Sequence, residues 1–158
     1  MKPTLLTTTG AQMLREELRR LVTVERPLII EAIAAARDDG NIHENPELAI
    51  AREKQAVAEG RIVAIESTLS SARIVDPSAV DAQGRVAFGA TVHLRKDETG
   101  EEATYQLVGE DEADVKAGKV SVAAPLAQAL LGAEEGHVVT VVTPSGEWSY
   151  RILEVHYE

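Results

Sequence analysis

Asp38, Asp39, Glu44 and Glu47 fall within ten residues, interleaved with Gly40, Asn45 and Pro46. Carboxylates are hard oxygen donors, and Mg²⁺ typically accepts one or two of them while keeping several waters. Glu44 and its acidic neighbours are therefore candidates for part of a divalent-cation site or for contact with a cationic partner. The competing reading is solvation of an exposed turn, which needs no ligand, and composition weighs the two equally. Arg37, Arg52 and Lys54 flank the same stretch, in sequence reach of Glu31, Glu47 or Glu53. Paired charges on a helix surface account for them without further chemistry.

Other chemistry is thinly represented. His43, His93, His137 and His156 lack metal-ligand spacing such as HExxH, and three of them lie in or beside strand patterns, so a structural role is expected. No GxSxG or Walker sequence occurs, and a self-contained active site is not expected. The absence of cysteine excludes disulfides and thiolate metal centres.

The elements that must carry the acidic stretch are helical. "TTTGAQMLREELRRL" opens with a threonine run able to cap a helix, followed by Glu16 and Glu17 near its positive end. Leu14, Leu18, Leu21, Glu25, Leu28, Ala32 and Ala35 recur at alternating spacings of four and three, a heptad seam. Pro27 lies inside this pattern and is expected to kink it or to loosen its hydrogen bonding locally, and Gly40 suits the position just past a helix end. Asn45 and Pro46 provide a cap and a first position for the return helix, whose seam runs Ala51, Gln55, Ala58, Ile62, Ile65, Leu69 and Ala72. The expected product is an antiparallel coiled-coil hairpin, an arm on the order of 40 Å long. Large seam residues lie at its base and alanines near its tip, which makes the acidic end slender.

After Pro77 and Gly84 the period changes. "RVAFGATVHLRK" and "ATYQLVGE" read as strands joined through "DETGEE", "SVAAPLAQALLG" as a short helix from Pro125, and "HVVTVVTPSGEWSYRILEVHY" as two strands about Pro144-Ser145-Gly146. The expected division is an arm over residues 1–76 and a compact α+β domain with an antiparallel sheet over residues 77–158. The formal net charge of −10 opposes general nucleic-acid binding. It is unevenly spread, net −2 over residues 1–76 and net −8 over residues 77–158, so a cationic protein surface is the expected partner of the second part. "MKPTLLTTTG" contains no apolar stretch long enough for a signal peptide or a membrane span, and a cytoplasmic protein without membrane contact is expected.

These segments, in this order, resemble the bacterial transcript-cleavage factors of the GreA/GreB family over essentially the whole chain. "TTTGAQMLREELRRL" is similar to the family's T-x-x-G-x-x-x-L-x-x-E-L. "AIAAARDDGNIHENPELAIAREKQAVAEGRI" is similar to I-A-x-A-R-x-x-G-D-L-x-E-N-A-E-Y followed by A-x-x-x-Q and E-G-R-I. "GRVAFGATV", "YQLVGEDEADVKAGKVSVAAPLAQALLG" and "VVTPSGEWSYRILEV" resemble the second domain.

The resemblance implies an N-terminal antiparallel coiled-coil helical hairpin followed by an FKBP-like domain that docks on RNA polymerase. It implies a monomer whose arm enters the polymerase secondary channel and stimulates cleavage of the nascent RNA 3′ end in backtracked complexes, with DNA met only weakly through the complex. The polymerase remains the enzyme, and a Mg²⁺ ion is held jointly by its aspartates and the tip acids. Carried onto this chain, Glu44 is the metal-binding acid, and Asn41 stands where the family has its other acid. Arg37 and Arg52 are placed at the RNA 3′ end. Asp111, Glu112, Asp114, Ser121 and Pro125 are placed at the polymerase-facing loops, for which the plain alternative is a generic acidic loop. Pro46 and Leu48 also depart from the family's alanine and tyrosine. Asn41 offers a neutral oxygen without the charge that favours Mg²⁺, so reduced cleavage is expected, with Asp39 two residues away as possible compensation. The alternative is a regulator that occupies the channel without cleaving. Prolyl isomerisation fits poorly, since Phe88, Tyr105, Trp148, Tyr150 and Tyr157 are the only aromatics of the second domain.

Overall fold

The structure, a computed structural model, describes residues 4–38 and 45–158. Glu44, Asn41 and Asp39, together with the helix stop expected at Gly40, lie outside the described residues. The chain divides into two compact units, one of Ala11–Ser71 and one of Met1–Gly10 together with Ala72–Glu158.

The first unit is the helical hairpin. Its outgoing side comprises α1 (Thr8–Arg20), a π-helix (Leu21–Glu25) and α2 (Arg26–Asp38), and its return is the single helix α3 (Pro46–Ser71). The α3 seam follows the expected spacing: Ala51, Ala58, Ile62 and Ile65 are buried, Gln55 and Leu69 half-buried, and Leu48 extends the seam by one position toward the tip. On the outgoing side Leu14 and Leu21 are buried and Leu18 half-buried. Beyond Leu21 the expected seam fails. Leu28 is 58% exposed and Ala32 and Ala35 are exposed, while Ile29 and Ile33 are half-buried and Ala36 is buried.

The reason is the π-helix. The Arg26 N–H reaches the Leu21 carbonyl, five residues back, so one extra residue is taken up within the turn and every later seam place falls to the next residue along the chain. Pro27 makes the irregularity cheap: it has no N–H to lose, and in an unbroken α-helix its ring would meet the Thr23 carbonyl. The taper is correspondingly partial. Alanines face inward at positions 36, 51 and 58, but Ile33 occupies a place expected to hold an alanine.

Two bidentate ion pairs cross the hairpin. Arg26 donates to both oxygens of Glu59 at 2.7 Å each, and Arg61 to those of Glu17 at 2.6 and 2.8 Å. The hydrogen bonds from these guanidiniums hold both carboxyls below their ordinary range.

The second unit is built on a five-stranded sheet in the order β5 (Lys119–Ser121), β4 (Glu102–Val108), β3 (Thr91–Lys96), β7 (Gly146–His156), β6 (Val138–Thr143). The β3–β4 and β6–β7 pairs are antiparallel, as their hairpin turns require, and β3 also pairs antiparallel with β7, with a bulge between His93 and Leu94. At one edge β5 runs parallel to β4, because the chain returns through two 3₁₀ turns, Glu110–Glu112 and Val115–Ala117, rather than a hairpin. The curled, mixed sheet wraps a core of Val92, Leu94, Leu107, Val120 and Ile152, closed by Ala127 and Leu130 of the short helix α4 (Pro125–Leu130). The Tyr157 hydroxyl donates to the Arg85 carbonyl at 2.5 Å and accepts from the Ala87 N–H at 2.9 Å, fixing the last strand's end.

A separate parallel pair, β1 (Leu5–Thr7) with β2 (Arg73–Val75), also belongs to this unit. These short strands come from the stretch that sequence reading assigns to the arm.

Candidate functional site

Three places carry side chains that could serve a partner: the distal end of the hairpin, its sides, and the β5 edge of the sheet.

At the distal end Asn45 organises the described residues. Its side-chain Nδ2–H donates to the Ala36 carbonyl at 2.6 Å, and its Oδ1 accepts from the Leu48 N–H at 3.1 Å. One amide thus satisfies an orphan carbonyl at the end of α2 and an orphan N–H at the start of α3. Pro46 fills the first position of α3, where a missing N–H costs nothing. Buried Ala36 and Leu48 lie directly beneath. Asn45 is therefore the clamp that closes the hairpin immediately beside Glu44.

Arg37 and Arg52 are brought together. With Ile30, Ile33, Ala34 and Gln55 they line one cavity of about 290 Å³ on the side of the distal arm. Both are exposed, and neither has an ion pair among the described residues. The pairing with Glu31, Glu47 or Glu53 that sequence spacing allows is not made among these residues. Two guanidiniums beside an apolar wall suit a ligand that is anionic and partly flat, since the planar fork of arginine binds phosphate bidentately and stacks on rings. A larger groove of about 620 Å³ runs nearer the base, lined by Leu21, Leu28, Ile29, Ile50, Val57 and Ala58, among others.

At the sheet edge, Asp111 and Asp114 are exposed. Asp114 is anchored by backbone exchange with Lys119, each N–H donating to the other's carbonyl at 2.9 Å. The Ser121 Oγ accepts from the Ala123 N–H at 3.1 Å, and exposed Pro125 starts α4. Glu112 is placed differently. Its carboxylate accepts from the Thr7 N–H at 2.8 Å, from the Gly109 N–H at 3.0 Å and from the Thr7 hydroxyl. Its oxygens are taken up inside the fold, tying β1 to the acidic turn. Sequence reading missed this role, because the partners lie 105 residues apart in sequence. A side chain on Gly10 would lie 2.0 Å from the Glu112 carboxylate, and one on Gly109 would lie 2.0 Å from the Leu5 carbonyl.

The histidines remain structural in character: His93 approaches Glu102 at 3.4 Å and His156 approaches Glu154 at 3.1 Å, while His43 lies outside the described residues. No group of three or more acidic or histidine side chains able to hold a metal ion occurs among the described residues. No described helix is long and apolar enough to cross a membrane.

Comparison with known proteins covers both units. Residues 4–74 match the family described as transcription elongation factor, N-terminal, and residues 81–157 match transcription elongation factor, GreA/GreB, C-term. The chain is 59% identical over 152 residues to the transcription elongation factor GreA of Alkalilimnicola ehrlichii, covering 96% of each chain. It is 52% identical over 157 residues to that of Thioalkalivibrio sulfidiphilus, covering 99% of each. Among solved structures, the GreA factor homolog 1 (Gfh1) of Thermus thermophilus is 29% identical, with a TM-score of 0.43 and coverage of 98% of this chain and 99% of that one.

Proposed function

This chain belongs to the GreA/GreB family of transcription elongation factors, and on that premise we propose that it binds RNA polymerase, inserts its helical arm into the secondary channel and stimulates cleavage of the RNA 3′ end in backtracked complexes. The polymerase is the enzyme, and this chain completes its centre. The observation that carries the reading is the pairing of Arg37 with Arg52, unpaired to acids among the described residues, at the arm's distal end. A displaced RNA 3′ end presents the phosphate and flat base that such a pair accommodates.

Glu44 would hold part of a Mg²⁺ shell and Asn41 would add a neutral amide oxygen. One carboxylate and one amide fit a hard ion only if the remaining donors come from the polymerase and water. When bound, the ion lowers the pKa of its water and stabilises developing charge on oxygen. Asn45, clamped between α2 and α3, sets where the chain enters and leaves the tip. Asp111, Asp114, Ser121 and Pro125 form the docking surface at the β5 edge, where exposed acids meet a basic rim. Glu112 serves that surface by holding the acidic turn in place.

RNA cleavage in stalled, backtracked elongation complexes tests the proposal. Wild-type protein is expected to cleave measurably, Asn41→Asp to cleave faster, and Glu44→Ala to lose cleavage while still occupying the channel. Equal activity in all three would remove the tip from the mechanism.

A further inference from the structure

Every residue from Leu28 to Ala36 is apolar except Glu31. A helix apolar around most of its circumference has no single stripe that must be buried, so its rotation about its own axis is weakly specified. Two runs in α2 meet the spacing of a seam. Leu28, Ala32 and Ala35 continue the heptads of α1 directly. Ile29, Ile33 and Ala36 continue them only when one residue is absorbed upstream. The π-helix Leu21–Glu25 absorbs that residue, and the second run faces α3. The first run is left outside, with Leu28 58% exposed.

We propose that the arm is a two-register coiled coil and that the π-helix is its switch. When Leu21–Glu25 passes from π to α geometry, α2 turns by about 100° and advances by about 1.5 Å, replacing the Ile29 face with the Leu28 face. The Arg26–Glu59 pair beside the junction is substantially solvent-exposed on both sides and opposes the turn only weakly. Pro27 sets the balance, because its ring clashes with the Thr23 carbonyl only in the α form. The π register is therefore the resting one.

The exchange reaches the candidate site. Arg37 travels with α2 whereas Arg52 stays on α3, so the two guanidiniums share a cavity in the resting register and part in the other. The Ala36 carbonyl likewise leaves the Asn45 amide that holds it at 2.6 Å. Regulation of RNA contact by register rests on the proposed role of Arg37 and Arg52. The register change itself does not, and it is measured on the free protein.

The chain has no cysteine, so introduced thiols report register directly. Ile29 and Gln55 line a common cavity, and full-length protein carrying Ile29→Cys with Gln55→Cys is expected to close a disulfide quickly under mild oxidation. Leu28→Cys with Gln55→Cys should close slowly, and Pro27→Ala should accelerate that closure at least roughly tenfold by removing the clash. Deleting Val24 removes the surplus residue and leaves only the Ile29 face compatible with an unbroken helix. The deletion should abolish closure of the Leu28 pair and preserve that of the Ile29 pair. A single Ile29→Cys guards against disturbance by paired substitutions: its labelling by a thiol reagent should rise with Pro27→Ala and fall with the Val24 deletion. Closure of the Leu28 pair, or labelling at position 29, at one rate in both backgrounds would overturn the two-register arm. If the registers exchange but disulfide-locked arms of either register cleave RNA alike, the switch stands and its link to Arg37 and Arg52 falls.

Discussion

The Thr7 backbone N–H donates to the Glu112 carboxylate at 2.8 Å across 105 residues of sequence, and the Thr7 hydroxyl donates to the same group. The hydroxyl also accepts from the Gly10 N–H at 3.0 Å, capping α1, and Thr7 is only 2% exposed. One buried threonine therefore starts the arm's first helix and fastens β1 to the acidic turn of the sheet unit.

Thr7→Val, which keeps the shape and removes the hydroxyl, should destabilise the protein by about 1–3 kcal/mol, since a half-buried carboxylate acceptor loses a partner. Thr7→Ser should recover most of that. Gly10→Ala should be at least as damaging as Thr7→Val, because the added carbon collides with the Glu112 carboxylate. Urea denaturation of the three variants checks the order. A neutral Thr7→Val would show that the tie carries no stability.

Asn45→Ala removes both an N-cap and the bond to Ala36. A loss of about 0.5–2 kcal/mol is expected, confined to the distal arm. Amide exchange should accelerate at residues 34–38 and 46–50 and stay unchanged at the base. Asn45→Asp retains the cap oxygen but not the donor, and should fall between wild type and alanine.

Acid should loosen the arm before the rest of the chain. The Glu17 and Glu59 carboxyls lie below their ordinary value of 4.5 because of their bonds to Arg61 and Arg26. A carboxyl lowered on folding contributes stability that is fully present above the unfolded value and is lost as pH falls through the folded one. Arm stability, followed by amide exchange at residues 14–29 and 55–66, should be flat at neutral pH and decline below about 4.5. Glu17→Gln combined with Glu59→Gln should flatten that decline and lower the plateau slightly, since exposed pairs are worth little.

Arg37→Ala and Arg52→Ala should each lower RNA cleavage about tenfold or more, the scale of one hydrogen bond to a charged group. Lysine at either position should recover part, because it restores charge without the planar fork. Competition for polymerase binding should be unaffected by all four changes and should instead weaken with Asp111→Asn and Asp114→Asn, and with salt. Cleavage unchanged by both alanine variants would remove the RNA-contact role.

Periodicity by itself determined the hairpin and the α3 seam, because Ala51, Ala58, Ile62 and Ile65 recur at alternating seam spacings and are the residues buried. Turn chemistry determined the cap at Asn45 and the hairpins of the sheet, since these are set by neighbouring residues alone. The arm's outgoing side was not legible in this way. From Leu28 to Ala36 unbroken heptads pointed to Leu28, Ala32 and Ala35, and only packing against α3 selected the Ile29 face through a π turn upstream. Spacing also placed Arg37 and Arg52 beside acids, whereas the fold set them across one cavity, a relation between two helices that neither helix encodes. The parallel β5 and the Glu112 tie belong to the same class. Each depends on contacts between distant segments, which local propensity cannot specify and burial of the whole chain must decide.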